Sequence, residues 1–256
     1  MPGTTHTSRI TTRSDFRIVD EADDYVVVDK PPLLLVHPTK PNGPRTLWSE
    51  LRELLAFEIA NGGQVSIVNR LDRETSGLVL IAKNSEAARR FHMAMQNGDV
   101  SKRYLAVVQG WPTWDETTLD APLLRQGSIG QSSIWLKQSI DVAGAKARTR
   151  FEVVRRFQKL TSAGNEFSLL RATPFTGRTH QIRVHAAALG FPLVGDKIYG
   201  ADERHYLRFI ETGWTEELAA HLLLPRHALH SSELALGAMS WQSELPGDLR
   251  AFCDES

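Results

Sequence analysis

The residues best suited to chemistry fall in three clusters. The first is Asn69-Arg70-Leu71-Asp72-Arg73-Glu74-Thr75-Ser76-Gly77, which sets Asp72 between two arginines just ahead of an apolar run. Flanking cations keep a carboxylate ionised. The Thr75 and Ser76 hydroxyls can bond local backbone, and Gly77 permits a tight turn into a strand. A carboxylate presented this way can act as a nucleophile or a general base, or form one half of a structural ion pair. The second cluster is Pro174-Phe175-Thr176-Gly177-Arg178-Thr179-His180-Gln181-Ile182-Arg183-Val184-His185. It is placed at the start of a helix, where free backbone N–H groups and Arg178 attract phosphate. His180 and His185 are five apart, not the four of a helical metal pair, and no Glu or Cys accompanies them. No metal site is expected, and either ring is expected to bond locally. The third cluster, Lys102-Arg103-Tyr104, puts two cations before an aromatic ring at a strand start. Such a ring can stack on a base while the cations meet phosphate.

Charge supports a polyanion partner on one face. The 256 residues carry 30 basic and 30 acidic side chains. From Lys146 to Arg183, however, nine basic residues (Lys146, Arg148, Arg150, Arg155, Arg156, Lys159, Arg171, Arg178, Arg183) face only Glu152 and Glu166, a net of +7. From Asp196 onward the balance reverses to −6. A neutral protein with a basic block can hold a polyanion there, or the block can be a solvated Arg-rich strand pair. Hydrophobic residues make up 41% and charged residues 23%, as in ordinary globular chains. Cys253 is the single cysteine, so no intramolecular disulfide or cysteine-rich metal cage can form. No apolar run approaches the ~20 residues of a membrane span, and the N-terminus lacks a signal-peptide core. These features lead us to expect a soluble, cytoplasmic protein.

The elements that must position these clusters follow from periodicity and punctuation. Residues 1–15 are expected to be a flexible N-terminal segment, with one domain over 16–256. Strands are expected over 17–19 and 25–28, stopped by Pro31-Pro32. Thr46 caps a helix whose stripe is Leu47, Leu51, Leu54, Leu55 and Ile59, ended at Asn61-Gly62-Gly63. Strands over 65–68 and 78–82 bracket the first cluster. Ser85 caps a helix with Ala88, Phe91, His92 and Met95 on one side and Gly98 at its end. A strand over 104–109 follows, then short strands and loops over 115–145. Residues 147–157 and 166–172 read as paired strands about a 161–165 turn. A helix over 179–189 carries Ile182, Ala186 and Leu189 on one stripe. Two more helices (203–211 and 215–221) and a late strand (229–236) complete the chain. Strand runs interleaved with a few helices predict an α+β fold on a mixed, largely antiparallel central sheet with flanking helices and loops.

Taken together, the clusters resemble the RluA class of pseudouridine synthases. The matching runs are residues 70–78, Lys102-Arg103-Tyr104 and residues 177–185. Softer matches are Asp29-Lys30-Pro31-Pro32, Val36-His37-Pro38, residues 191–196 with Tyr199-Gly200, and Leu229-His230. The resemblance spans about residues 16 to 252, and the motifs keep the family's order. Asn69 stands where the family usually has His, which puts in doubt any hydrogen bond from that position. The resemblance implies a pseudouridine-synthase-like core without an N-terminal S4-type RNA-binding module. It implies isomerisation of uridine in structured RNA, ribosomal or transfer, with no cofactor; no obligate protein partner and a monomer are expected. It also implies that Asp72 is the catalytic carboxylate, Tyr104 the ring stacked on the flipped uracil, and Arg183 the cation paired with Asp72. Arg70, Arg73, Thr75, Lys102, Arg178, His180 and Gln181 are the implied substrate-binding residues. Two other readings stand beside it. One is a catalytically idle RNA-binding module, against which the joint presence of Asp72, Tyr104 and Arg183 speaks. The other is a glycosidase, which would normally use paired carboxylates in a cleft.

Overall fold

The computed structural model describes residues 16–40, 43–130 and 132–254. The expected flexible segment 1–15 lies outside them. In chain order the elements begin with β1 (Arg17–Glu21), β2 (Tyr25–Lys30), α1 (Leu47–Leu54), α2 (Ala56–Ala60), β3 (Ser66–Ile67), β4 (Ser76–Ala82), α3 (Ser85–Asn97) and β5 (Val100–Gln109). Then come β6 (Glu116–Asp120), β7 (Leu123–Arg125), β8 (Gln138–Ile140), β9 (Arg148–Thr161), β10 (Gly164–Pro174) and α4 (Gln181–Ala188). The chain closes with α5 (Arg204–Thr212), α6 (Glu216–Leu222), β11 (Leu229–Leu236), β12 (Met239–Gln242) and α7 (Gly247–Cys253).

Ten strands form one sheet, in the order β1-β2-β4-β11-β5-β10-β9-β6, with β12 on β11 and β3 on β4. All its pairings are antiparallel except β4 with β11. This is the expected mixed, largely antiparallel sheet. The parallel pair matters most for the site. His230 lies opposite Ser76 and Ser231 opposite Gly77, while Ser231 also lies opposite Tyr104 on β5. One row across mid-sheet therefore joins the end of the Asp72 loop to Tyr104. Gly77 is required at this junction. Its φ is +108°, and a Cβ there would come within 2.2 Å of the Ser231 carbonyl oxygen.

Alternation along the strands divides the core between the two faces of the sheet. On one face, Val26, Val28, Val79, Ile81, Tyr104, Ala106, Leu170 and Phe151 pack with Leu47 and Leu51 of α1 and Ile182 and Ala186 of α4. On the other, Val27, Leu78, Leu80 and Leu234 pack on Phe91 of α3, and Val107, Phe157 and Phe167 pack on Leu249 and Phe252 of α7. The chemistry therefore belongs to the α1/α4 face.

Local differences from the sequence reading have physical causes. The helix capped at Thr46 breaks at Leu55 (φ −97°, ψ 27°) into α1 and α2, turning Leu54 outward. Asn84, not Ser85, caps α3, its side chain accepting from the Ala87 N–H. His92 is exposed beside Ser66, off the buried stripe. The helix expected from Thr179 starts at Gln181, because His180 sits in the left-handed region at φ +57°. Helix α7 carries three buried apolar side chains, Leu249, Phe252 and Cys253, a signal too short to stand out in the sequence.

Candidate active site

Asp72 opens a tight turn, closed by a hydrogen bond from the Thr75 N–H to the Asp72 carbonyl (3.1 Å). The rest of the turn is held from below. Lys30, fully buried, donates to the carbonyls of Pro31 (2.8 Å), Leu34 (3.0 Å) and Arg73 (3.2 Å). Arg226, also buried, donates to the Glu74 carbonyl at 3.2 Å and grips Asp248 with two bonds of 2.7 and 3.0 Å. The Glu74 carboxylate accepts from Lys197 (2.8 Å) and from the His227 N–H (3.0 Å). Thr75 Oγ1 lies 2.7 Å from His227 Nε2. Leaving any of these buried groups without its partner would cost about 1–3 kcal/mol, and more for the charged ones. They therefore hold one another in place and fix the loop.

Only the Asp72 carboxylate of this turn points toward α4. Arg183 Nη1 donates to it at 2.9 Å, and the opposite edge of the same guanidinium binds Asp196 with bonds of 2.7 and 2.9 Å. Asp196 is itself fixed by the N–H groups of Ile198 and Tyr199. Arg183 thus has a rigid side and a working side, geometry that lysine could not supply. The Asp72 side chain keeps 28% of its surface exposed, against 5% for Arg183 and none for Asp196. It is the member of the triad a substrate could reach.

Electrostatics favour the ionised carboxylate. Burial would raise the Asp72 pKa, but His180 when protonated and the Arg183 guanidinium, which also donates to the carboxylate, overcome it and hold the carboxyl below its ordinary value. His180, desolvated and beside Arg183, is itself pushed down to about 4. At neutral pH it is uncharged, so Arg183 is the cation that keeps Asp72 ionised. The Tyr199 hydroxyl accepts from the Gln138 N–H at 2.9 Å and lies 2.8 Å from His180 Nδ1. His180 Nε2 lies 3.9 Å from Asp72 Oδ2. Tyr104 is buried at 8% exposure, and burial pushes its hydroxyl up to about 12. Near neutral pH it stays protonated.

The implied substrate-binding residues take different places. Arg70 is exposed at the rim of the Asp72 loop. Arg73 is exposed and bonds the Leu33 carbonyl at 3.3 Å, and Leu33 itself sits at φ +69°. Lys102 is half-buried beside Gly177, where a Cβ would lie 3.7 Å from its Nζ. Arg178 is exposed and bonds the Lys146 carbonyl at 3.1 Å. Thr75 and Gln181 face inward. The Gln181 amide accepts from Thr176 Oγ1 and the Arg178 N–H and donates to the Arg148 carbonyl and Thr149 Oγ1, so every one of its polar atoms is engaged within the protein. Of the two histidines in the motif, His185 is fully buried between Thr149 Oγ1 and the Ala121 carbonyl, partners 36 and 64 residues away instead of the local ones expected.

Sequence reasoning missed Asp196, Tyr199, Glu74, Lys197, His227 and Lys30 as site-builders. The usable signal was charge inside apolar sequence, as in Val194-Gly195-Asp196-Lys197-Ile198. Asn69, where the resembled class has His, has a structural place. Its side chain donates to the Leu78 carbonyl (3.1 Å) and accepts from the Leu80 N–H (2.8 Å), acting as a short strand along β4. Part of the basic block is paired within the protein. Arg150 pairs with Glu116 and Glu152, Arg156 with Asp115, and Arg155 with the Cys253 carbonyl. Among the described residues, no helix is long and apolar enough to cross a membrane.

A family model described as RNA pseudouridylate synthase matches residues 24–188. A ribosomal large subunit pseudouridine synthase D from Pseudomonas aeruginosa is 36% identical over 241 residues, covering 91% of this chain and 69% of that protein. An uncharacterized RNA pseudouridine synthase from Bacillus subtilis is 37% identical over 188 residues, covering 73% of this chain and 58% of that protein. In fold, the chain is similar to human RNA pseudouridylate synthase domain containing 4, with a TM-score of 0.70 at 21% identity over 91% of this chain and 90% of that one.

Proposed function

The chain belongs to the RNA pseudouridylate synthase family, in its RluA class, and on that footing we propose that it isomerises uridine to pseudouridine in large-subunit ribosomal RNA with Asp72 as its nucleophile. The observation that carries this reading is the Asp72–Arg183–Asp196 arrangement. It offers one ionised, partly exposed carboxylate, aimed by a guanidinium whose other edge is locked in the interior. The ribosomal target rests on the names of the relatives.

The reaction breaks the N1–C1′ glycosidic bond, turns the base, and joins C5 to the same sugar carbon. C5 loses its proton and N1 gains one, so no electrons are exchanged and no co-reactant is consumed. A uridine in folded RNA must leave its stack to reach Asp72. Tyr104, in register with the end of the Asp72 loop, offers its ring to the extruded base. Its protonated hydroxyl makes it a stacking partner and not a base at neutral pH. Arg70, Lys102 and Arg178 ring the mouth and meet phosphate, while Thr75 and Gln181 hold the two loops in place. A monomer is sufficient, since the site is built within one chain.

The test uses C5-tritiated uridine transcripts of large-subunit ribosomal RNA and of transfer RNA. Tritium release from the ribosomal transcript, with no free base liberated, is the expected result. Release from transfer RNA alone would reassign the substrate. Liberated uracil without pseudouridine would indicate a glycosidase.

A further inference from the structure

His180 is an uncommon choice of residue to begin a helix. It occupies the cap position of α4, yet its side chain makes no capping bond and its backbone sits in the left-handed region at φ +57°. Helix starts favour short polar side chains that bond the first N–H groups, and a residue other than Gly in this conformation is uncommon. Strain of this kind persists where the surrounding structure fixes it, and it gathers at functional sites. What it achieves here is the placement of the ring. Nδ1 lies 2.8 Å from the Tyr199 hydroxyl, and Nε2 faces Asp72 Oδ2 across 3.9 Å, too far for a hydrogen bond. Nε2 has no other polar partner among the described residues. The ring is held at one end and unbonded at the end beside the reacting carboxylate.

Two neighbours favour one tautomer. The Tyr199 hydroxyl already accepts the Gln138 N–H, and among the described residues its own hydrogen has His180 Nδ1 as the acceptor within reach. At the other end, the ionised Asp72 favours an N–H over a lone pair. Tyr199 is itself fixed, with its N–H on Asp196 Oδ1 at 3.1 Å and its ring centroid 5.0 Å from the Arg183 guanidinium carbon. Burial and the Arg183 charge disfavour the imidazolium, so the ring is neutral at pH 7. A neutral imidazole N–H can stabilise charge on a carbonyl oxygen while keeping its proton.

Charge of that kind appears in the proposed isomerisation, on which this inference rests. When the N1–C1′ bond breaks, its electron pair leaves with the base and spreads over N1 and the two uracil carbonyl oxygens, while Asp72 meets the sugar carbon. A sugar carbon poised for attack lies about 3–3.5 Å from the carboxylate. A group 3.9 Å from the same carboxylate oxygen borders the departing base. We propose that His180 is a catalytic residue, a neutral electrophile whose Nε2–H donates to a uracil carbonyl oxygen as the glycosidic bond breaks, and that Tyr199 is the positioning residue that fixes its tautomer. The hydrogen stays on Nε2 throughout, so the proton balance of the isomerisation is unchanged.

The experiment uses the full chain and ribosomal transcripts made with C5-tritiated uridine, 2-thiouridine or 4-thiouridine. His180→Asn suits the left-handed backbone and keeps an acceptor for Tyr199, but it has no donor at the Nε2 position. It should melt close to wild type, bind RNA as tightly, and release tritium at saturating RNA about a hundred- to a thousandfold more slowly, the usual cost of one such donor. His180→Gln returns a donor near Nε2 and should recover at least about tenfold of that loss. Sulfur accepts hydrogen bonds weakly, so on one of the two thio transcripts the advantage of wild type over His180→Asn should nearly vanish. Nitrogen NMR of the imidazole should show a bare Nδ1 and a protonated Nε2 in wild type, and a mixture of tautomers in Tyr199→Phe. A loss below about tenfold in His180→Asn, equal rates for the Asn and Gln variants, an undiminished wild-type advantage on both thio transcripts, or a protonated Nδ1 would each overturn the electrophile. Tritium release by wild type on the uridine transcript separates the two readings. With release, any of these failures removes the electrophile alone, whereas without release the isomerase reading beneath it falls.

Discussion

Two regions of this molecule are rich in arginine and lysine and use them in opposite ways. Beneath the Asp72 loop, Arg183, Arg226, Lys30 and Lys197 are all at least 95% buried. Their hydrogen bonds run to carboxylates and carbonyls distant in the chain. Along β9, Arg150, Arg155 and Arg156 lie at the surface, paired with nearby acids or a carbonyl. Removing one interior partner strands a buried charge, whereas exposed pairs are worth about 0–1 kcal/mol each. The +7 of the basic block is the more visible feature in the sequence, but the interior set does the positioning.

The largest effect is expected where that interior set meets the substrate. Arg183→Gln leaves Asp196 buried without its cation and should destabilise the fold by about 3–5 kcal/mol. Arg183→Lys keeps the charge but cannot grip Asp196 with two bonds while reaching Asp72. It should retain most of the stability and still lower the rate at saturating RNA by about a hundredfold, the scale of a small misplacement of a reacting group. Thermal unfolding and single-turnover tritium release on both variants check this. Equal rates for Arg183→Lys and wild type would reduce the arginine to a structural tie.

Tyr104 gives the next step down. Tyr104→Phe should stay within about tenfold of wild type, because a hydroxyl near pKa 12 is a poor proton carrier at pH 7. Tyr104→Leu should lose about 1–3 kcal/mol of base contact. If the two variants failed alike in the chemical step, the hydroxyl would be the active part.

The interior region should also set the acid limit of the fold. Burial lowers the pKa of His180 (to about 4), His185, His227 and His230. The unfolded chain therefore binds more protons than the native state between pH ~6.5 and the lowered native values, and stability must fall with pH across that window. Glu74, held at about 2 despite burial by its bonds to His227 and Lys197, extends the loss below its unfolded value near 4.3. Melting temperature should decline from pH 7 to pH 5, and His227→Gln should flatten that decline. A flat profile in the wild type would mean these rings titrate in the native state as they do in the unfolded chain.

The smallest effect concerns β9. Lys146, Arg148 and Arg150 do share a face, alternating with buried Ala147, Thr149 and Phe151. Arg150 is tied to Glu116 and Glu152, however, while Arg148 rests on Phe175. Arg148→Ala should reduce the slope of log K against log salt by nearly one. Arg150→Ala should leave the slope unchanged. Equal slope changes would mean the strand face acts as one electrostatic surface.

What could be seen in the sequence followed the range of the physics. Local signals carried over well. β11 runs from Leu229 to Leu236 as expected, Thr46 caps a helix, and Gly98 ends α3 in the left-handed conformation. Asp72 and Arg183 were legible only through resemblance, since 111 residues separate them. The props of the loop were illegible for the same reason. Glu74 meets Lys197 across 123 residues, and Lys30 meets Arg73 across 43. Gln181 shows the converse error. A polar residue in a motif invites a ligand reading, and only the folded chain reveals that its amide is already spent on Arg148, Thr149, Thr176 and Arg178.

The central claim is that Asp72, kept ionised by a guanidinium locked to Asp196, is the reacting carboxylate. Asp72→Asn tests it most directly, because the change is nearly isosteric and the loop is held by other residues. Single-turnover tritium release and RNA affinity should be measured on the same preparation and the same C5-tritiated ribosomal transcript. The account predicts a rate loss above about a thousandfold, more than 4 kcal/mol of barrier at about 1.36 kcal/mol per tenfold, with affinity within about threefold of wild type. Turnover within tenfold of wild type would contradict it.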